Sequence, residues 1–310
     1  MLSLPVPLCS LIRDHNTIVQ TAAVAINPAD AKMLDYSAAI GAIHGYDFAG
    51  TIVALGVDAP AHLSVGDRAA GMVFGGNKLH QIIGGFAQYV GAMAELLLRL
   101  PGEMSFEEGA SLGIGVATAT LSLFDRLCIP ATLENLRRGE PKQGDFVLVA
   151  GGSTASGTRA IQLLNNAGLR PIASCSPSNF ALVKRFGAEK VFDYHSPTCA
   201  QEFLEYTTQL CFQSIGRAGS CYVSLVPFRD TVAQTRTLTI EPSWVMVLSI
   251  FGRKVALDGK YGREAQPEDK RFGALAFSTV MPGGWEGVIK GVYIIRRQAL
   301  SGQKLVYSVV

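Results

Sequence analysis

The stretch from Asp145 to Lys184 constrains the fold most. Phe146-Val147-Leu148-Val149-Ala150 is an apolar run of strand length, and it leads straight into Gly151-Gly152-Ser153-Thr154-Ala155-Ser156-Gly157. Ala160 to Leu164 follows with helical character and is closed by Gly168, and Pro171-Ile172-Ala173 opens a second apolar run. Strand, glycine turn, helix and strand within about thirty residues make one βαβ unit. Such a turn is a natural seat for phosphate, because backbone N–H groups point outward and the helix dipole favours negative charge.

The turn matches the dinucleotide fingerprint G-x-G-x-x-G in part. Gly152 and Gly157 hold the first and third places, while Thr154 holds the middle one. A side chain there keeps the backbone further from a pyrophosphate, but its hydroxyl can bond a phosphate oxygen. An ordinary strand-to-helix turn is the plain alternative. No Gly-Lys-Ser/Thr follows, so the turn is not a Walker loop.

The end of the second strand bears on the cofactor. NAD enzymes usually carry Asp or Glu there, about twenty residues on, to hold the ribose 2′-OH. This chain has Ser174-Cys175-Ser176-Pro177-Ser178-Asn179 and then Lys184-Arg185. Hydroxyls and cations without a carboxylate suit a 2′-phosphate, which predicts NADPH over NADH. Ser176 to Asn179 also reads as a cap for a helix over Phe180 to Phe186, and the two roles are compatible.

Composition excludes other classes. In 310 residues, 48% hydrophobic content and 33 glycines describe a turn-rich globular chain long enough for two domains. A net charge of +2 gives no case for nucleic acid, and the pairs Arg137-Arg138 and Arg296-Arg297 are isolated. The six cysteines form no C-x-x-C pair and have no histidine at metal spacing, so neither a disulfide framework nor a structural metal is expected. The thiol pattern fits a reducing compartment, and the expected location is the cytoplasm. Met1 to Ile12 lacks the basic start of a signal peptide, and no apolar run reaches the ~20 residues that span a bilayer.

Before the βαβ unit the chain reads as short strands with glycine turns, which predicts a small antiparallel barrel-like domain. Thr17 to Ile26 is the first strand, broken by Asn27-Pro28-Ala29-Asp30. Thr51 to Gly56, Ala69 to Phe74 and Gly84 to Val90 follow, and Leu305 to Val309 is the last strand. Ser105-Phe106-Glu107-Glu108 is a capping box, and Ala110 to Leu127 continues helical. Ile129 to Gly144 reads as a polar surface connection. In the nucleotide half, strands are predicted at 146–150, 171–174, 190–192, 221–225 and 246–251.

In this order, Gly45-Tyr46-Asp47-Phe48-Ala49-Gly50, Val65-Gly66-Asp67-Arg68, Gly85-Phe86-Ala87-Gln88-Tyr89 and Leu300-Ser301-Gly302-Gln303-Lys304 resemble the medium-chain dehydrogenase/reductase family. Within it the chain resembles the fungal trans-acting enoyl reductases of polyketide synthases. That likeness rests on Ala25 to Lys32, Gly151 to Ala155, Cys175-Ser176-Pro177 with Asn179-Phe180, Phe192-Asp193-Tyr194 and Ile215 to Gly219.

The resemblance implies an α/β protein with a GroES-like barrel domain over 1–115 and 281–310 and a doubly wound Rossmann domain over 116–280, with NADPH in the cleft between them. Metal-dependent relatives carry a Cys in the segment here filled by Ile26-Asn27-Pro28, and a His-Glu at Tyr46-Asp47. The zinc-free branch is therefore implied, and His44 is left as a turn or packing residue. By position, Ala29, Asp30, Ala31 and Lys32 line the nicotinamide end. Ser153, Thr154, Ala155 and Ser156 hold the pyrophosphate. Ser176, Pro177, Ser178 and Asn179 hold the 2′-phosphate, with Tyr194 near the adenine. Leu225, Val226, Ala299 and Leu300 touch the cofactor again. Gly115, Thr118, Thr120 and the run Val247, Leu248, Ser249, Ile250, Phe251 face the substrate.

The implied reaction is hydride addition from NADPH to the β-carbon of an α,β-unsaturated thioester, offered by a polyketide synthase acyl-carrier domain. Lys32 is the candidate for stabilising the charge that develops on the carbonyl oxygen, or for orienting the nicotinamide ribose. A solvated lysine after a turn is the plain reading of the same residue, and Tyr46 and Thr118 are further donor candidates. A quinone or enone reductase of the same family, or a non-catalytic remnant, are the alternatives.

Three departures from the family pattern stand out. Met1 to Asn16 does not read like the family's first strands. An interior strand is expected to be missing between Thr208 and Gln209, since five strands are counted where a full doubly wound sheet has six. A helix end and a strand are missing at the Val280–Met281 join. Loss of an interior strand is expected to cost more than a domain's margin of ~5–15 kcal/mol.

Overall fold

The computed structural model describes residues 16–131, 136, 145–202, 206, 220–225, 240–258, 262–265, 279–281 and 305–309. The chain divides into two compact units, one made of residues 1–117 and 247–310, the other of residues 118–246. The expectations for Met1 to His15, for the Thr208–Gln209 join and for most of Ile129 to Gly144 lie outside the described residues.

Strand β1 (Asn16–Ala25) organises the first unit. It pairs antiparallel with β2 (Asp47–Leu55), with β4 (Tyr89–Met93) and with β12 (Leu305–Ser308). Strand β3 (Arg68–Met72) extends the sheet from β2, and β5 (Leu98–Arg99) follows it. Strand β11 (Thr279–Met281), which spans the Val280–Met281 join, pairs parallel with β12. Because β1 is covered on both faces, its residues are buried almost throughout, Thr17 and Thr21 included. One face meets a core of Ile18, Val24, Phe48, Ile52, Val90 and Tyr307. The other face is lined by Ala23, Ala25, Ala49 and Ala70, small enough for helix α2 (Phe106–Ala110) to lie close. A Cβ on Gly50 would overlap the Gln20 carbonyl, so the crossing of β1 and β2 admits no side chain there.

Local signals set the helices. The Ser105 hydroxyl accepts from the Glu108 N–H at 3.1 Å and Glu108 accepts from the Ser105 N–H at 2.8 Å, which is the predicted capping box. The helical stretch after it is divided into α2, α3 (Gly113–Thr120) and a π-helical turn over Leu121–Arg126. Two sequence expectations are corrected here. Asn27-Pro28 does not merely end β1; it starts helix α1 (Pro28–Tyr36), with Pro28 in the first turn, where its missing N–H costs nothing. The strand expected over Gly84 to Val90 begins only at Tyr89.

The second unit starts with β6 (Phe146–Ala150), helix α4 (Ala155–Asn166) and β7 (Arg170–Cys175), followed by helix α5 (Phe180–Arg185) and β8 (Lys190–Asp193). These strands form a parallel sheet in the order β6-β7-β8. Helix α4 buries Gly157, Ile161 and Leu164 at helical spacing against it. Gly168, at φ +76°, ends the helix as expected.

Strands β9 (Ser220–Ser224) and β10 (Ile240–Trp244) form a separate parallel pair. Among the described residues no strand joins the two sheets. The strand expected over 246–251 is instead a 3-10 turn, Val247–Phe251, and it falls in the first unit. The described helices include none long and apolar enough to cross a membrane.

Candidate functional site

The glycine turn between β6 and α4 is built for close approach. Gly151 sits at φ +71°, a backbone that favours glycine, and its carbonyl accepts from the Thr154 N–H at 3.0 Å. A Cβ on Gly152 would lie 2.7 Å from the Ala173 Cβ, and one on Gly157 would overlap the Gly151 carbonyl oxygen. Thr154 is the N-cap of α4, and its hydroxyl oxygen accepts from the Gly157 N–H at 3.0 Å. Its own proton is left to donate outward.

The carboxyl ends of β7 and β8 lie beside one another, with Cys175 paired to Asp193. Ser176 Oγ is 3.1 Å from Tyr194 Oη across this edge. The structure thus brings together Ser176, read from the sequence as part of a 2′-phosphate site, and Tyr194, placed near the adenine by the resemblance. Tyr194 is exposed and lies against His195, ring centroids 4.1 Å apart. Pro177 to Asn179 form a 3-10 turn; contrary to the capping role read from the sequence, neither Ser176, the N-cap of that turn, nor Asn179, the N-cap of α5, makes a side-chain capping hydrogen bond. Ser178 and Lys184 are exposed.

Sequence reasoning missed Asp193. It stands at the end of β8 rather than β7, and its Oδ1 accepts from the His195 N–H at 2.9 Å. Burial first, and then the Asp193 charge, push the Cys175 thiol above its ordinary range. Ser153, Ala155 and Ser156 line the turn, half-buried. Leu225 follows β9, exposed, whereas Val226, Ala299 and Leu300 lie outside the described residues.

A second polar constellation is buried in the first unit. The Asp30 carboxylate accepts from the Asn27 N–H at 2.6 Å, closing the first turn of α1. The Asn27 side-chain N–H donates to Asp47 Oδ2 at 2.9 Å. Asp47 Oδ1 accepts from the Ile114 N–H at 2.7 Å, at the start of α3, where a carboxylate is favoured by the helix dipole. Asn27, Asp30 and Asp47 are all buried. The positions that carry metal ligands in metal-dependent relatives are thus tied to one another by hydrogen bonds. Among the described residues no group of three or more His, Cys, Asp or Glu is placed to hold a metal ion.

The donor candidates differ in exposure. Lys32, on α1, is exposed. Tyr46 is 2% exposed, and its hydroxyl finds no partner among the described residues. Burial, and then the Asp30 charge, raise the Tyr46 phenol far above its usual range, so it stays protonated. Thr118 and Thr120 are buried on α3 with Gly115, and Leu248 to Phe251 are buried in the 3-10 turn. Ala29 and Ala31 flank Asp30 on α1.

His44 lies in the turn before β2, its carbonyl accepting from the Phe86 N–H at 2.9 Å. Burial lowers its pKa below the ordinary 6.5. A lowered folded pKa means that the unfolded chain binds the proton first. Stability is therefore lost as pH falls through 6.5. Melting temperatures of the protein and of His44→Gln, measured from about pH 8 to about pH 5.5, are expected to diverge as the pH drops, with the variant flatter. Parallel curves would remove His44 from the account.

The fold is that of the medium-chain dehydrogenase/reductase class of oxidoreductases. Residues 13–102 match the alcohol dehydrogenase GroES-like domain. The chain is similar in structure to the CurK enoyl reductase, with a TM-score of 0.66 at 19% identity, covering 96% of this chain and 91% of that one. It is also similar to an alcohol dehydrogenase superfamily protein from Novosphingobium aromaticivorans, with a TM-score of 0.70 at 21% identity, covering 95% and 92%.

The sequence relatives are more specific. The chain is 55% identical to trans-enoyl reductase caaB of Aspergillus niger over 340 aligned positions, covering 98% of this chain and 92% of the relative. It is 54% identical to trans-enoyl reductase traG of Penicillium crustosum, covering 94% and 89%. The chain belongs to the trans-enoyl reductase family, whose members are oxidoreductases acting on C=C bonds. The family's reductant is a nicotinamide dinucleotide. Since 340 aligned positions exceed the 310 residues of this chain, at least thirty of them are gaps here.

Proposed function

We propose that this chain is an NADPH-dependent, trans-acting enoyl reductase that saturates an α,β-unsaturated thioester carried by the acyl-carrier domain of a polyketide synthase, in secondary metabolism. The observation that supports the cofactor is the Ser176–Tyr194 contact at the ends of β7 and β8, beside a glycine turn with no room for side chains. That edge offers hydroxyls, with Lys184 and Arg185 following on α5, and Asp193 is already engaged by the His195 N–H. A 2′-phosphate is the group this set receives best. The family relatives support the reaction.

When bound, the nicotinamide supplies hydride to the β-carbon. The chain's own part is to place the two reactants and to answer the charge that gathers on the thioester oxygen. Thr154 and the first N–H groups of α4 hold the pyrophosphate. Lys32, exposed on α1, is the candidate for stabilising the charge on the carbonyl oxygen. Tyr46, buried and protonated, remains a further donor candidate.

The test measures dinucleotide oxidation with an enoyl thioester and with a free quinone, using NADPH and NADH in turn. Turnover of the thioester with NADPH preferred is the expected result. Lys32→Met is expected to lower kcat by about a hundredfold with a small change in the KM for NADPH. Turnover of the quinone alone would discard the thioester reading, and equal use of NADH would discard the 2′-phosphate site.

A further inference from the structure

Helix α4 buries a charge that the glycine turn alone does not explain. Arg159 is the only charged residue of its twelve, stands fifth from the start, and is 2% exposed. Burying a guanidinium is costly unless hydrogen bonds and negative charge answer it. The start of a helix is also the wrong end for a cation, because the dipole there is already positive. Both costs fall when an anion sits at the helix mouth. The side chain is directed that way, as long helical side chains generally are. Arg159 Nη1 donates to Thr158 Oγ1 at 2.9 Å. The Thr158 hydroxyl in turn lies 3.1 Å from the Thr154 carbonyl oxygen and 3.0 Å from the Ala155 carbonyl oxygen, to which it donates.

Those two carbonyls belong to the peptide groups whose N–H groups are those of Ala155 and Ser156, the first two residues of α4. Helix geometry leaves both N–H groups without a partner inside the helix. Hydrogen bonds in series polarise one another. A cation at the head of the series draws electron density from these peptides, which makes their N–H groups stronger donors to a phosphate. Positive charge close behind the mouth adds its own field. We propose that Arg159 is a positioning residue for the pyrophosphate of the dinucleotide, acting from inside the protein through Thr158 without touching the ligand. The inference rests on the dinucleotide site proposed above and adds to it a residue outside the glycine fingerprint. Pyrophosphate is common to NADPH and NADH, so Arg159 serves both equally, whereas a group at the 2′-phosphate serves NADPH alone.

The experiment uses two readouts on the full chain. The first is the Kd for NADPH and for NADH, from quenching of tryptophan fluorescence. The second is the rise in melting temperature given by inorganic pyrophosphate, which needs no nicotinamide. Arg159→Met removes the charge and keeps much of the volume; Arg159→Lys keeps the charge. Arg159→Met is expected to weaken both dinucleotides about tenfold, to the same degree, and to remove most of the pyrophosphate effect. Arg159→Lys is expected to stay within about threefold of the unaltered protein. A packing role alone would instead lower the melting temperature of the ligand-free variants and leave the Kd of the folded protein unchanged. An unchanged Kd in Arg159→Met, or a loss as large in Arg159→Lys, overturns the proposal. Should Arg159→Met not fold, Thr158→Val against Thr158→Ser decides: weaker binding in the valine variant alone supports the route through the hydroxyl, and equal binding overturns it. If the pyrophosphate effect depends on Arg159 while no enoyl thioester is reduced, the inference stands and the reductase reading alone fails. If neither dinucleotide nor pyrophosphate binds the unaltered protein, both fail.

Discussion

Asp47→Ala is expected to destabilise the first unit by about 3 kcal/mol, the largest stability effect of any single side-chain truncation proposed here. The carboxylate is fully buried and accepts from the Asn27 side chain at 2.9 Å and from the Ile114 N–H at 2.7 Å. Its removal leaves two buried donors without an acceptor, at ~1–3 kcal/mol each, offset in part by the relief of burying a charge. Asp47→Asn tests the same point without a cavity. It keeps the shape but sets an amide NH2 against one of the two donors. Guanidinium unfolding followed by near-ultraviolet circular dichroism measures both variants. A loss of less than ~1 kcal/mol for Asp47→Ala would show that the network is not what holds α1 and α3 to the sheet.

Gly157→Val is expected to weaken NADPH binding by at least about a hundredfold, close to 3 kcal/mol. No rotamer rescues this change, because the obstacle is backbone: the Gly151 carbonyl oxygen, with the Gly152 Cα at 3.0 Å behind it. Helix α4 has to back away from the turn, and its first N–H groups then no longer converge on one phosphate. Quenching of tryptophan fluorescence by NADPH reads the affinity directly. Gly102→Ala is the matched control, since a Cβ there meets nothing within 4 Å and its effect should stay within ~0.5 kcal/mol. Binding that survives in Gly157→Val would place the dinucleotide elsewhere on the molecule.

These two positions also show what a reader of the bare sequence can and cannot find. Gly157 was visible because the fingerprint is local: strand, turn and helix succeed one another within a few residues. The capping box at Ser105 was visible for the same reason. The Asn27–Asp47 bond joins residues twenty positions apart, and Asp47 to Ile114 spans sixty-seven. No periodicity announces such pairs, and Asn27-Pro28 alone reads as a stop.

One misread apolar run and one unread strand have physical reasons as well. Val245 to Phe251 has the composition of a buried strand, but a short apolar run does not declare its period, and here it closes into a 3-10 turn. Ile240–Trp244 escaped notice because Pro242 argues against a strand; it is tolerated because β10 pairs only with β9 among the described strands. Ser176 was legible from the residues after β7 and Tyr194 only from a likeness, and it took the β7–β8 register to bring them together.

One detail of β6 reaches beyond the active site. Leu148, at the middle of the strand that launches the glycine turn, is 45% exposed, where a doubly wound sheet normally shields that position. A side chain left this exposed adds little burial energy to the strand, so a ligand gripped by the turn adds to what the β7 pairing supplies. By mass action a ligand at a hundred times its Kd adds ~2.7 kcal/mol to the folded form. Under the proposed function, the supply of reducing equivalents in the cell would thereby set how long each molecule survives the proteases, as well as how fast it works.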